Sequence, residues 1–232
     1  NHFLEIQKVS DIYDKEFSNK LGIKDKDQVL LMLHCGSRGL GHQVASDYLK
    51  SQEKAVKKYN IKIPDKQLVA APAQSEEGQD YFKAMKAAVN YSFTNRIVMT
   101  QWIRETFEKV FNKTWQEMDM NTVWGLCHNV VKLEEHTIEN KKQKVYVHRK
   151  GATRAFPNEP VIVAGTMGTA SYICKGTKIA MEKSFGSSVH GAGRAMSRTA
   201  AIKSFRGTEI QKDMEKRGII AKTSLSKVLA EE

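Results

Sequence analysis

Hydrophobic and polar positions alternate over Phe3 to Val9, which predicts a strand. The run Val29-Leu30-Leu31-Met32-Leu33-His34 is apolar and short, as in a buried strand, and Gly36, Gly39 and Gly41 end it. A helix is expected from about Gln43 to Tyr59, with Val44, Tyr48 and Leu49 inward and a lysine-rich outer face. Residues 60–78 read as a loop. A long helix is expected from about Gln79 to Phe111, because Phe82, Met85, Val89, Phe93, Ile97, Ile103, Phe107 and Val110 fall mostly at steps of three and four. In the second half, Thr122–His128, Gln143–Arg149 and Val161–Ala164 read as strands, the first two as a hairpin across a charged stretch. Gly/Ser-rich loops span 165–171 and 186–193, and a basic tail, 197–217, reads as helical in pieces. The pattern is α+β rather than regular βαβ alternation.

Composition narrows the function classes. The chain has 232 residues, enough for a self-sufficient core, and 41% of them are hydrophobic, which excludes whole-chain disorder. No apolar run approaches the ~20 residues needed to span a bilayer. The opening Asn1-His2-Phe3-Leu4-Glu5 does not resemble a secretion signal. Three widely spaced cysteines, Cys35, Cys127 and Cys174, argue for a reducing compartment rather than a disulfide framework. Thirty-seven basic residues against 26 acidic ones give a net charge of +11, which favours a polyanionic partner, RNA or DNA first.

Candidate chemistry centres on histidine. His34 and His128 each close an expected strand and His2 opens one, and imidazoles at strand ends can converge on Mn, Fe, Co or Zn. Singly, each also reads as a half-buried, hydrogen-bonded core histidine. Asn1, Phe3 and Glu5 would share the other face of the first strand, as a nucleobase or ribose site or as the polar side of an edge strand. His190 lies in Ser187-Ser188-Val189-His190-Gly191-Ala192-Gly193-Arg194, where glycine backbone can cradle phosphate and an imidazole can attack phosphorus. An incidental His in a Gly/Ser turn fits the same residues. The loop Gly165–Ser171 follows a strand, as phosphate loops do, but lacks the P-loop ending. The window 141–154 is basic and without acids. Its outer lysines suit a solvated hairpin, whereas Arg149 and Arg154, flanking Gly151-Ala152-Thr153, look purposeful. Cys35 and Cys127 read as core packing.

Five segments together carry a resemblance. They are Asn1–Glu5, His34-Cys35-Gly36-Ser37-Arg38-Gly39-Leu40-Gly41-His42-Gln43, Val147-His148-Arg149-Lys150-Gly151-Ala152-Thr153-Arg154-Ala155-Phe156-Pro157, Gly165–Tyr172 and His190–Arg194. In these the chain resembles, from end to end, the RtcB family of GTP-dependent RNA ligases. The resemblance implies a single RtcB-like catalytic domain over residues 1–232, with mixed sheets and strand-end histidines lining a central cleft flanked by helices.

It also implies that RNA ending in a 2′,3′-cyclic phosphate or 3′-phosphate is joined to RNA beginning with a 5′-hydroxyl, through a GMP-histidine intermediate, in tRNA splicing and RNA repair. His190 matches the guanylylated histidine, and His2, His34 and His128 match ligands of two Mn²⁺ ions. Asn1, His2, Phe3, Leu4, Glu5, His128, Asn129, Ala164, Gly165, Thr166, Met167, Ser171, His190, Gly191, Ala192 and Gly193 match the guanylate site. Arg38 and Arg198 are the candidate RNA phosphate contacts.

The implied partners are tRNA exon halves, with archease or other ligase-complex subunits, and no membrane. The implied location is the cytoplasm, or the nucleus as well in a eukaryote. The family pattern places an Asp-x-x-Cys motif upstream and a guanine-contacting lysine downstream, and neither occurs in this chain, which implies a partial ligase of weak or no activity alone. A scaffold that binds RNA with a dead site, and a metal-dependent phosphoesterase, are the competing readings.

Overall fold

The computed structural model describes residues 2–231, so Asn1 of the expected guanylate site lies outside the described residues. Backbone packing divides the chain into two compact units, one ending at Lys132 and the other beginning at Leu133.

In the first unit, β1 (Phe3–Lys8) pairs antiparallel with β2 (Val29–His34), from Phe3 opposite His34 to Lys8 opposite Val29. Both strands form where alternation and the apolar run place them. Phe3, Glu5 and Gln7 are half-buried on one face, and Leu4, Ile6 and Lys8 are exposed on the other. A short helix, α1 (Lys15–Lys20), is capped by Asp14.

Two helices follow, α2 (Gly39–Lys58) and α3 (Glu76–Phe111). Both begin before the expected boundaries. Ser75 caps α3 by accepting a hydrogen bond from the Gly78 amide at 3.1 Å, and Glu76 and Glu77 in the first turn favour the positive end of the helix dipole. Asn112, in the left-handed region at φ 51°, ends it.

The buried stripe is narrower than the periodicity suggests. Met85, Ala88 and Ser92 are buried, but Phe93, Ile97 and Val110 are exposed, Ile97 by 69%. α2, at 20 residues against 36, is too short to follow α3 along its length. Leu49 on α2 is also exposed, because the buried face runs through Val44, Tyr48 and Ala55 and Leu49 sits about 100° away from Tyr48.

β3 (Asn129–Ile138) crosses the unit boundary and turns back into β4 (Lys141–Lys150). The expected strand over Thr122–His128 does not form; those residues are irregular, and the hairpin partner of β4 is the charged stretch itself. Its turn is Glu139-Asn140, both at positive φ (49° and 61°), the backbone that matches the twist of a two-residue hairpin. The expected pattern failed because β3 buries Val131 on one face and Glu134 and His136 on the other, so two of its three buried side chains are polar.

The second unit continues with β5 (Ala152–Arg154), β6 (Pro160–Val163), β7 (Tyr172–Lys175), α4 (Lys178–Ser184), β8 (Ser187–Val189), α5 (Arg198–Ser204) and α6 (Gly207–Lys216). β6 and β7 form an antiparallel hairpin around the first Gly/Ser loop. β5 and β8 pair antiparallel, so part of the second loop is strand rather than coil. The tail is helical in pieces, as its sequence predicts. The architecture is α+β, with small antiparallel sheets and six helices among the described residues.

Candidate active site

His34 ends β2 and His128 immediately precedes β3. Their Nε2 atoms stand 2.9 Å apart with the rings nearly perpendicular. His2 directly precedes Phe3, which is the register partner of His34 and meets its ring edge-on at 5.1 Å. Two donors bound at about 2.1 Å and at right angles would lie about 3.0 Å apart, so the His34–His128 spacing fits a shared cation. Among the described residues, no three His, Cys, Asp or Glu side chains are gathered as a metal cage. His42 lies apart on α2, paired with Ser46, and His136 belongs to the second unit.

What holds this pair comes from α3, a contribution the sequence did not signal. Arg96 Nη1 donates to the Cys35 carbonyl at 3.1 Å, and its Nη2 lies 3.6 Å from Cys127 Sγ. Asn95 donates to the Gly36 carbonyl at 2.9 Å and lies 3.2 Å from Cys35 Sγ. One turn of helix therefore grips the residues next to both histidines. Cys35 is buried, as expected, whereas Cys127 is half-buried, and both serve as points where α3 takes hold.

Phe3 and Glu5 share the half-buried face of β1. Burial pushes the Glu5 carboxyl above its ordinary 4.5, and a 2.5 Å hydrogen bond from Gln7 offsets part of that rise. A half-buried carboxylate beside an aromatic ring suits a base edge with two N–H donors.

Arg38 heads α2 at φ 54°, ψ −138°, a region that non-glycine residues avoid. Its side chain is exposed, as is that of Arg198 at the start of α5.

In the second unit the two Gly-rich loops, separate in sequence, are joined. Ala164 bridges Gly191: the Ala164 amide donates to the His190 carbonyl at 3.1 Å, and the Ala192 amide donates to the Ala164 carbonyl at 2.8 Å. A Cβ on Gly191 would sit 2.7 Å from the Ala164 carbonyl oxygen, so the approach requires glycine. The 165–171 loop is braced from within. The Gly165 amide donates to Ser171 Oγ at 3.0 Å, and the Thr166 amide donates to Thr169 Oγ1 at 2.7 Å. Arg217, at the end of α6, donates to the Gly168 carbonyl at 2.6 Å, a brace that sequence reasoning missed.

His190 Nδ1 lies 2.6 Å from the Gly151 carbonyl oxygen. A carbonyl only accepts, so Nδ1 carries the proton and the neutral ring has its lone pair on Nε2, the form a nucleophilic imidazole needs. Gly151 reaches this position at φ 66°, left-handed backbone that favours glycine. The flanking arginines are engaged within the protein. Arg149 is ion-paired with buried Glu134, and Arg154 is held by Glu159 through two hydrogen bonds of 3.0 and 2.8 Å.

A family model described as tRNA-splicing ligase RtcB matches residues 1–232. A tRNA-splicing ligase RtcB of Methanocaldococcus jannaschii is 50% identical over the whole chain, which covers 25% of that relative. Those of Methanococcus maripaludis and Thermococcus kodakarensis are each 49% identical over the whole chain, which covers 51% of each. The chain thus spans a quarter to a half of the length of these curated relatives.

Proposed function

Since the chain belongs to the RtcB family, we propose that it is the catalytic part of an RNA ligase that joins 2′,3′-cyclic-phosphate or 3′-phosphate RNA ends to 5′-hydroxyl ends. The observation that carries this reading is His190, held in the nucleophilic tautomer by Gly151 beside the Ala164–Gly191 junction of two glycine loops.

In this reading Nε2 of His190 attacks the α-phosphorus of GTP. A P–N bond forms, and the P–O bond to pyrophosphate breaks with its electron pair going to the leaving group. A 2′,3′-cyclic end is first opened by water, which adds to phosphorus as the P–O2′ bond breaks and leaves a 3′-phosphate and a 2′-hydroxyl. An oxygen of the 3′-phosphate then attacks the GMP phosphorus, forming a P–O bond as the P–N bond to His190 breaks. The 5′-hydroxyl of the second RNA finally displaces GMP. The backbone of 164–167 and 191–193 lines the phosphate site, with the amides of Ala164, Gly165, Thr166 and Ala192 holding the two loops in shape, while Phe3, Leu4, Glu5 and Asn129, with Asn1, receive the nucleoside, and Ser171 braces the loop. His2, His34 and His128 hold divalent metal, Mn²⁺ in the family, which when bound polarises phosphoryl oxygens and offsets charge on pyrophosphate.

Arg38 and Arg198 contact RNA phosphates, consistent with the net charge of +11. The reading includes a central cleft lined by the histidines, the two units acting as one catalytic domain, a cytoplasmic setting, tRNA exon halves as substrates and ligase-complex subunits such as archease as partners. No helix of the described residues is long and apolar enough to cross a membrane.

The test is incubation of the full-length protein with α-labelled GTP and Mn²⁺. A protein–GMP adduct that survives alkali, is lost in acid and disappears in His190→Ala is the expected result. An adduct that persists in His190→Ala removes His190 from the mechanism. Phosphate release from an ordinary phosphoester without an adduct would point to the phosphoesterase.

A further inference from the structure

We infer that Arg149 is a positioning residue for His190, the core of a buried ionic clamp that fixes the backbone on both sides of the nucleophile. The inference rests on the ligase reading of His190. Arg149 is 3% exposed and lies on β4, two residues before Gly151. Its Nη1 and Nη2 form a fork on the Glu134 carboxylate at 2.8 and 2.9 Å. Glu134 also pairs with Nε2 of His136, itself 4% exposed, at 3.1 Å, and the His136 ring meets Phe156 and Phe185 edge-on.

The remaining donors of Arg149 reach the other side of the nucleophile. Nη2 donates to the Phe185 carbonyl at 2.8 Å, and Nε donates to Ser187 Oγ at 2.9 Å. These residues lead through β8 directly into His190. One guanidinium thus ties the strand that presents the Gly151 carbonyl to the strand that presents the imidazole. The β5–β8 ladder, Ala152 opposite Val189, is a second tie between the same two segments. A guanidinium suits this task because its donors lie in a rigid plane, whereas a lysine offers one point charge.

The polar residues that broke the expected hairpin pattern therefore have a role in the chemistry. If the clamp slips, the Gly151 carbonyl leaves Nδ1. The ring can then rotate or change tautomer, and Nε2 no longer faces phosphorus. GTP binding does not depend on that alignment, and neither does the last step, in which the 5′-hydroxyl attacks RNA already carrying GMP. The clamp should govern the two steps that take place at His190, its guanylylation and the transfer of GMP to RNA, and should leave sealing untouched.

Removing Arg149 by itself strands the Glu134 charge in the core, so the variant to make is the double Arg149→Met/Glu134→Gln, which removes both charges together. Ser187→Ala is its milder companion, leaving the ion pair intact and deleting one contact to the nucleophile's strand. Both are made in the full-length protein. Three quantities are compared with wild type: GTP affinity, the single-turnover rate of protein–GMP formation, and the rate of sealing RNA supplied with GMP already on its 3′-phosphate.

The expected result is a drop in guanylylation of about 100-fold in the double variant, the scale set by an ångström of misalignment, with GTP affinity and sealing within threefold of wild type. Ser187→Ala should lose about tenfold in the same step. Equal losses in guanylylation and sealing, or a guanylylation rate within threefold of wild type, would overturn the clamp. If the double variant does not fold, Ser187→Ala decides by the same criteria. Absence of any His190 adduct in the wild-type protein would instead sink the ligase reading on which the clamp depends.

Discussion

Arg96→Met should weaken Mn²⁺ binding at a site whose proposed ligands, His34 and His128, Arg96 never touches. The side chain is half-buried on α3 and donates to the Cys35 carbonyl at 3.1 Å and to Ser92 Oγ at 3.2 Å, with Cys127 Sγ at 3.6 Å. A hydrogen bond from a charged donor contributes about 1.5–3 kcal/mol. The stacking of Arg96 on Phe93 at 4.5 Å adds about 0.5–1 kcal/mol at an exposed site. Methionine recovers some packing, which leaves a net loss of about 2–3 kcal/mol, or roughly 5–10 °C in Tm for a chain of this size. The effect on metal is separate. Asn95 still holds the Cys35–Gly36 side, but without Arg96 the segment at Cys127 and the Cys35 carbonyl lose the support that helps hold the two Nε2 atoms 2.9 Å apart, and outer residues that orient ligands typically contribute 10–100-fold in affinity. The assay is Mn²⁺ titration followed by electron paramagnetic resonance, on the full-length protein, beside thermal unfolding. Arg104→Met is the control. On the same helix, Arg104 donates twice to the Met120 carbonyl, at 3.1 and 2.8 Å, and stacks on Trp115, so it should lose comparable stability and leave Mn²⁺ affinity unchanged. If both variants weaken Mn²⁺ equally, or if Arg96→Met binds it within twofold of wild type, α3 is only a structural support and the argument fails.

Two further outcomes follow from the second unit. Burial alone would raise the Glu134 carboxyl, but the hydrogen bonds and charges of Arg149 and His136 outweigh it and hold the group below its ordinary 4.5. A carboxylate depressed on folding contributes stability that is present above its unfolded value and lost as pH falls through the folded one. Thermal unfolding of wild type should therefore steepen below pH 4.5, and Glu134→Gln, less stable at neutral pH, should show a shallower acid limb; parallel acid limbs would refute the assignment. Gly165→Ala places a Cβ 2.4 Å from the Ala170 carbonyl oxygen, which forces the 165–171 loop to open. Opening the loop that lines the phosphates, at the cost of about one hydrogen bond or about 1.5 kcal/mol, should reduce GTP affinity roughly tenfold by calorimetry. Gly125→Ala, which meets nothing within 4 Å, should bind GTP normally, and equal effects from both would remove the loop from the site.

The parts of the fold legible in the sequence are those whose burial is apolar. β1 and β2 were readable nearly to the residue because alternation and an unbroken apolar run admit few other structures. The β3–β4 hairpin was not, because its inward positions include Glu134 and His136, which any polarity pattern assigns to solvent. They are buried only because Arg149, fifteen residues beyond Glu134, supplies the opposite charge, and a pairing across that distance leaves no periodic trace. The site divides the same way. Glycine content marked both phosphate loops, but their junction at Ala164–Gly191 depends on how β6 and β8 approach each other, which composition does not encode. The histidines stood out as residue types, whereas Arg96 and Asn95 are ordinary residues on the polar side of a helix until the neighbours of His34 and His128 are seen against them. The apolar pattern thus fixes the scaffold, and the polar side chains buried within it set the geometry of the chemistry. The two sets separate because a core that had only to be stable could replace the Glu134–Arg149 pair with hydrophobic residues of similar volume at little loss. Such a core would keep the fold, but it would no longer tie the Gly151 carbonyl to the strand that carries His190.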